Sequence, residues 1–381
     1  MFKSNSYDYI ICGAGCAGLS LLMRMIRSGK FNDKKILLLD KEPKNKNDRT
    51  WCFWEKEKGF FEKIVYRKWN SISFLSNKYS SLMDITPYQY KMIRGIDFYQ
   101  YCFNEIAKHT NVEVVYGDIK SWRYENKEVI FNINNQEFKL GNAQVFNSIY
   151  EPRDTTKKTI RLLQHFKGWV IETNKSSFNP DEATMMDFRV HQQHGTSFAY
   201  VLPFSSTSAL VEYTLFTKEL LLPEQYDKEL EDYISTYLGI DDYEIKEEEF
   251  GIIPMTNEEF SFDGHGWQIG VAGGQTKASS GYTFQFIQKQ SAQIADYLIR
   301  DKPLGSLPGT AKRFRFYDNT LLHILYYKKL PGDEIFTQLF QKNKPQQVLK
   351  FLDNESSLKD ELKIISTLPT WPFLRAALKQ L

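Results

Sequence analysis

Residues 7–40 read YDYIICGAGCAGLSLLMRMIRSGKFNDKKILLLD. YDYIIC is a short apolar run of the kind found in the middle of a parallel sheet. Gly13-Ala14-Gly15-Cys16-Ala17-Gly18 then opens an apolar helix, LSLLMRMIRSG, and a second apolar strand, KKILLLD, ends on Asp40. In such a unit each glycine has its own task. Gly13 allows the sharp turn, Gly15 leaves room for a pyrophosphate against the main chain, and Gly18 lets the helix pack close to the strand. The helix start aims unpaired N–H groups and the positive end of its dipole at phosphates. Asp40 is placed to take both hydroxyls of a ribose, which argues against a 2′-phosphorylated adenosine. The complete strand–turn–helix–strand–acid unit implies a bound dinucleotide. The motif alone does not separate FAD from NAD; its place near the start of the chain favours FAD.

Downstream, the pattern changes character. IDFYQYCFNEIAKH (96–109) reads as an amphipathic helix, NVEVVYGDI as a strand, and KEVIFNINNQEFKL as a hairpin turning on Asn134-Asn135. Residues 41–57 read as a polar loop closing on an aromatic cluster, and 70–86 as strands. GWVIET, ATMMDFRV, SFAYVLPF, SALVEYTLF and FGIIPM are further strands, with a helix at 218–238 between the last two. WQIGVAGG reads as a return strand into a long helix, YTFQFIQKQSAQIADYLIRD, and the chain after Pro303 looks helical. The expected fold class is α/β with an α+β insertion: an N-terminal Rossmann-like GxGxxG fold interrupted by a mostly antiparallel β-sheet, with a helical C-terminal region. The expected domains are 1–150 with 263–300 for FAD, 151–262 for substrate and catalysis, and 301–381 as the helical region.

A chain of 381 residues is long for one core, which fits this division. The net charge of +2 leaves no nucleic-acid footprint. Residues 301–381 nevertheless hold 13 Lys and Arg against 8 Asp and Glu, a net +5 that suits an anionic membrane surface. No apolar run reaches the ~18 residues a spanning helix needs, and the N-terminus enters a core strand with no signal peptide. Cys12, Cys16, Cys52 and Cys102 read as reduced thiols of a cytosolic protein. The histidines, with His165, His191, His194 and His265 placed near loops, form no metal-like spacing with acids, so no metal is expected.

Gly273-Gly274-Gln275-Thr276-Lys277 joins the return strand to the long helix and reads as a second anion-facing loop, offering backbone N–H groups to the cofactor. Glu212, in SALVEYTLF, shares a strand face with Leu210 and Thr214. A carboxyl among such neighbours is desolvated, stays protonated, and can give a proton to a weak base. A strand acid that faces solvent or is salt-bridged to an arginine is the plainer account of Glu212. Asp187 and Arg189 read as a structural ion pair, Asp97 as a helix-capping acid near Arg94, and Arg49, Trp51 and Trp54 as residues within reach of the flavin side, with packing the simpler account of the two tryptophans.

With these segments in hand the chain resembles the lycopene β-cyclase family, in the form found in carotenoid-making Bacteroidetes. The matching stretches include NDRTWCFWE, YKMIRGIDFY, VFNSIY, MMDFR, FAYVLPFSSTSALVEYTLF, EEFGIIPMT, GGQTKASSGYTFQFIQ and VLKFLDNESSLKDELKIISTLPTWPFL, in order over about residues 8–375. The resemblance implies FAD, active when reduced, with NAD(P)H as electron donor and no net redox change. It implies that a carboxylic acid protonates the acyclic ψ-ends of lycopene and then γ-carotene, that the resulting cation closes to a β-ionone ring, and that Glu212, in LVEYT, is that acid. It also implies a cytoplasmic enzyme peripherally associated with the inner membrane, with WPFL a candidate contact. Two departures stand out: Ala278 where the family often has Pro, and VAGGQ where related flavoproteins carry Gly-Asp. An isoprenoid reductase or hydroxylase of the geranylgeranyl-reductase type, and a non-catalytic prenyl-lipid carrier, are the alternatives on the same framework.

Overall fold

The structure, a computed structural model, describes residues 2–152, 159–258, 260 and 266–380. The chain opens with β1 (Tyr9–Cys12), α1 (Cys16–Ser28), β2 (Ile36–Asp40), β3 (Thr50–Glu55), β4 (Arg67–Trp69), β5 (Ser71–Leu75), β6 (Ser80–Asp84), β7 (Gln89–Arg94) and α2 (Gly95–Ile106). It continues through β8 (Val112–Tyr116), β9 (Ile119–Glu125), β10 (Glu128–Ile133), β11 (Gln136–Lys139), β12 (Gln144–Asn147), β13 (Arg161–Glu172), β14 (Glu182–Asp187), β15 (Thr196–Pro203) and β16 (Ser208–Thr217). It ends with α3 (Pro223–Leu238), β17 (Glu244–Thr256), β18 (Gly266–Gln268), α4 (Phe284–Ile299), α5 (Lys312–Tyr326), α6 (Gly332–Lys342), α7 (Pro345–Leu352), α8 (Leu358–Thr367) and α9 (Thr370–Leu378).

Among the described residues, β18-β12-β1-β2-β8 form a parallel sheet. Strict period two splits its side chains between two cores. Ile11, Leu38 and Phe146 pack with α1, α2 and α4, while Ile10, Leu37 and Val145 pack against the antiparallel meander β9–β11. The hairpin of that meander turns on Asn134 and Asn135, both in the left-handed region at φ 51° and 64°, the conformation an Asn-Asn turn supplies.

A second, larger sheet runs β17-β13-β16-β15-β14-β5-β6. On β16, Val211, Tyr213 and Leu215 face the core shared with α3, and Leu210 and Phe216 face the core shared with the C-terminal helices. The small sheet β3-β7-β4 lies between the two halves: Phe53 stacks on Phe284 of α4 at 4.3 Å, and Trp54 and Tyr90 join the core of the large sheet.

Two expectations need correction. A boundary at 150 does not separate the sheets, because β5 and β6, from residues 71–84, complete the large sheet by a parallel β5–β14 pairing. Partner choice across about a hundred residues leaves no local trace in a strand. WQIGVAGG is not one strand either: β18 stops at Gln268, and Gly270–Gly273 close a 3₁₀ turn, with Gly270 at φ +62°. The expected boundary at 262/263 and His265 lie outside the described residues.

Candidate functional site

At the first turn the three glycines do different physical work. Gly13 adopts φ +95°, and a Cβ there would collide with Ser148 Oγ; a Cβ on Gly18 would collide with the Gly13 carbonyl and stand 3.0 Å from Ile11 of β1. Around a Cβ on Gly15 there is nothing within 4 Å. Gly15 is also the N-cap of α1, with no side chain capping it, so the open space lies where the helix presents its unpaired N–H groups. Asp40, buried at the end of β2, accepts from the Ala14 amide (2.6 Å) through Oδ2 and pairs with Lys44 (2.9 Å) through Oδ1. Arg49 reaches toward Cys16 at the same helix start and bonds Asp48, which also accepts from Tyr99 (3.0 Å). This donor-lined, Cβ-free cradle suits a pyrophosphate, and the acid beside it suits a ribose.

The second loop is built differently from its expected form. The amides of Gly273, Gly274 and Gln275 donate to Ile269, Val271 and Gly270 carbonyls, so these N–H groups close the turn instead of facing an anion. Thr276 shares a hydrogen bond with Thr283 (3.1 Å). The Lys277 ammonium is buried against Asp318 (2.8 Å) and Asn354 (2.7 Å), which tie the loop to α5 and the end of α7. The loop lines two adjoining open cavities of about 460 and 650 Å³, to which Gly309 and Thr310 also contribute; Glu212 lines neither.

Glu212 lies on β16, opposite Tyr200 of β15 on one side and Gly168 of β13 on the other. Beyond Gly168, on β17, stands Glu249. Because Gly168 has no side chain, the two carboxyls meet across it, within hydrogen-bond reach. Thr214 donates to Glu212 Oε1 (2.6 Å) and Thr50 to Glu249 Oε2 (2.9 Å), while Glu249 Oε1 is buried with no donor among the described residues. Burial pushes the Glu212 carboxyl well above the ordinary carboxylate range, and the neighbouring charge of Glu249 pushes it further. Burial also raises Glu249, but the Thr50 hydroxyl, the Glu212 bond and Arg49 hold it back. Cys52 and Tyr200 lie against Glu212, and Tyr90 and Tyr282 against those two; burial raises all four groups, which stay neutral. Trp54 meets Tyr282 edge-on at 4.7 Å. The arrangement is a neutral acid with an aromatic wall, able to release a proton into apolar surroundings.

The remaining candidates have structural partners. Asp187 and Arg189 form a multiply bonded ion pair joined by Tyr233 (2.8 Å). Asp97 pairs with Arg94 (2.7 and 2.9 Å), with no capping bond to the helix backbone among the described residues. Trp51 packs on Phe98 and Tyr99, and Trp54 donates to the Leu349 carbonyl (3.2 Å). His165 is not near a loop but inside β13. Among the described residues no group of three His, Cys, Asp or Glu side chains gathers as a metal site. Glu249 is the residue that sequence reasoning passed over. It ends a run of three glutamates, and nothing local distinguishes it from its exposed neighbours Glu247 and Glu248.

With the geometry in place, comparison with known proteins is informative. The family model described as "Lycopene cyclase protein" matches residues 8–378. A lycopene beta-cyclase from a Paracoccus species is 26% identical over 234 residues, 55% of this chain and 57% of that protein, so the match spans little more than half of the relative. A flavoprotein/dehydrogenase from Cytophaga hutchinsonii superposes with a TM-score of 0.65 at 11% identity, covering 98% of this chain and 99% of the other. A geranylgeranyl bacteriochlorophyll reductase-like protein from Thermoplasma acidophilum gives 0.57 at 11% identity, covering 99% and 98%. At such identities the likeness is one of fold: a parallel α/β sheet with an inserted, mostly antiparallel sheet.

Proposed function

The chain belongs to the lycopene cyclase family, and from that premise we propose that it closes the acyclic ψ-ends of lycopene to β-ionone rings, through γ-carotene to β-carotene, as a redox-neutral isomerase. The observation that carries the reading is Glu212: a carboxyl kept neutral by burial, in an aromatic setting, on the strand segment LVEYT. An isolated double bond is a very weak base, so its proton donor must hold its proton at neutral pH and sit away from competing water. Transfer of that proton creates a tertiary cation. Tyr200, in register with Glu212, and the aromatic residues packed on it supply electron-rich surroundings, a cation–π contact being worth about 2 kcal/mol when desolvated. The second double bond then attacks, and loss of a ring proton restores neutrality.

The cradle at Gly13, Gly15 and Gly18, with Asp40 for the ribose and Arg49 at the helix start, fits the pyrophosphate and ribose of FAD. Gly273, Gly274 and Thr276 shape the second loop, whose Lys277 is held by Asp318. When bound and reduced by NAD(P)H, FAD supplies negative charge that stabilises the developing cation. A carotenoid dissolves only in a bilayer, so the enzyme is read as cytoplasmic and peripheral to the inner membrane. No helix among the described residues is long and apolar enough to cross one.

The test is expression in lycopene-accumulating bacteria. Product of unchanged mass carrying cyclic ends is expected. A gain of two hydrogens or one oxygen, with stoichiometric consumption of reductant, transfers the assignment to an isoprenoid reductase or hydroxylase. Glu212→Gln is expected to retain flavin and make no ring; cyclisation at the wild-type rate by that variant removes Glu212 from the mechanism.

A further inference from the structure

We propose that Glu249 is the positioning residue of this acid: it and Glu212 hold one proton between them across Gly168, and the charge on Glu249 makes Glu212 both the donor and the recipient of the reaction's proton. The proposal rests on the cyclase reading above and adds a residue to it.

The geometry is specific. Gly168 is in register with Glu212 on one side and Glu249 on the other. A Cβ there would stand 3.1 Å from Glu249 Cγ, 3.3 Å from its Oε1 and 3.0 Å from Leu210 Cδ1, so the gap exists because the residue is glycine. One oxygen of each carboxyl already has a threonine donor, Thr214 on Glu212 and Thr50 on Glu249. Glu249 Oε1 is buried and lacks one, and a protonated Glu212 can provide it. Two carboxylates this close, one of them buried, do not both ionise at rest. The surroundings decide which does. Arg49 and Thr50, from the start of β3, favour charge on Glu249 against the opposing Asp48. Cys52, Tyr90 of β7, Tyr200 of β15 and Tyr282 are neutral and supply no counter-charge to Glu212.

The steps balance. The Glu212 O–H bond breaks and a C–H bond forms at one carbon of the terminal double bond, leaving two adjacent carboxylates beside a carbocation. Ring closure makes a C–C bond from the second double bond. A ring C–H bond then breaks, its electron pair becomes the ring double bond, and the proton returns to Glu212. The carbon protonated and the carbon deprotonated are both bonded to the carbon that first bore the charge, so one carboxyl reaches both. Repulsion from Glu249 drives the return, and the Thr214 bond steadies Glu212 while it is ionised.

The experiment follows ring formation against pH with the flavin-loaded, reduced protein. Wild type is expected to lose activity on the alkaline side as Glu212 gives up its proton. Glu249→Gln removes the adjacent charge, lowers the Glu212 pKa, and is expected to move that limb at least one pH unit lower. At pH values above both limbs activity then falls about tenfold and is recovered by acidification, with KM unchanged. Glu249→Asp keeps the charge and should keep the wild-type limb at a reduced rate. If Glu249→Gln fails to load flavin, Glu249→Met, a neutral side chain of similar length, is expected to give the same shift. A variant that loads flavin and superimposes on the wild-type profile, with Glu212→Gln inactive, overturns the role of Glu249 and leaves the cyclase reading standing. An active Glu212→Gln removes Glu212, and with it the shared proton, from the mechanism, whereas a wild type that forms no ring overturns the cyclase reading itself.

Discussion

Gly15 and Gly18, three positions apart, are predicted to fail in opposite ways. An alanine methyl at Gly15 meets no atom within 4 Å, and the backbone there, φ −86° and ψ −168°, is open to any residue. Gly15→Ala should therefore leave stability within about 0.5 kcal/mol of wild type while filling the space a pyrophosphate needs. At Gly18 the methyl meets the Gly13 carbonyl, so Gly18→Ala should cost about 1–3 kcal/mol by overpacking. Thermal unfolding of the flavin-free proteins and flavin content of the loaded ones separate the two. Flavin retained in full by Gly15→Ala would show that the cofactor does not approach this turn. The three-glycine division of labour was legible in the sequence because it is local: strand, turn and helix start are consecutive. Glu212 was legible by alternation, since Leu210 and Phe216 share its face while Val211, Tyr213 and Leu215 take the other. Glu249 was not, because what marks it is a glycine 81 positions away on a neighbouring strand.

Strand β13 carries a second buried polar link, and it predicts a pH dependence. His165 is fully buried, with Nδ1 against the Tyr226 hydroxyl of α3 (2.5 Å) and Nε2 against Thr217 Oγ1 (2.6 Å), so it fastens the helix to the sheet. Burial lowers its pKa to about 4, against about 6.5 in an unfolded chain. The unfolded state binds this proton first as pH falls. The stabilisation is complete above about pH 6.5, declines toward pH 4 by at most about 1.4 kcal/mol per unit, and is spent below that. Urea unfolding at several pH values should show this slope in wild type and lose it in His165→Gln, whose amide does not titrate; equal slopes would mean that His165 is protonated in the fold. The same element shows what sequence reading misses. Strand identity at β13, β15 and β16 followed from alternation, whereas membership of β5 and β6 in the same sheet depends on a parallel pairing with β14 that only the folded chain specifies.

Across the whole molecule, the acid is half-buried within the large sheet while the surface near the C-terminus is unusually apolar. On α8, Leu358 and Leu362 are 60% and 66% exposed, one turn apart. On α9, Trp371, Leu374 and Leu378 are 70%, 48% and 62% exposed and share one side by their three- and four-residue spacing. Exposed Lys359, Lys363, Arg375 and Lys379 are interspersed with them. Apolar side chains mixed with cations suit the interface of an anionic bilayer better than bulk water. Near such a surface four cations contribute about 1 kcal/mol each, and each large apolar side chain removed from water about 1.5–3 kcal/mol. The charge surplus of residues 301–381, visible in composition, thus coincides with an apolar face that composition does not reveal, because helical spacing decides which leucines are left outside. The triple change Trp371→Asp, Leu374→Asp and Leu378→Asp alters residues that are already solvent-exposed, so the fold should persist. Co-sedimentation with vesicles containing phosphatidylglycerol should weaken at least a hundredfold, and wild-type binding should itself fall as salt rises. Cyclisation of lycopene delivered in detergent should remain within about twofold, a barrier change of about 0.4 kcal/mol or less. Unchanged sedimentation of the triple variant would place membrane contact elsewhere on the molecule. Equal loss of activity in vesicles and in detergent would mean that this face shapes the acid's pocket and does not load the substrate.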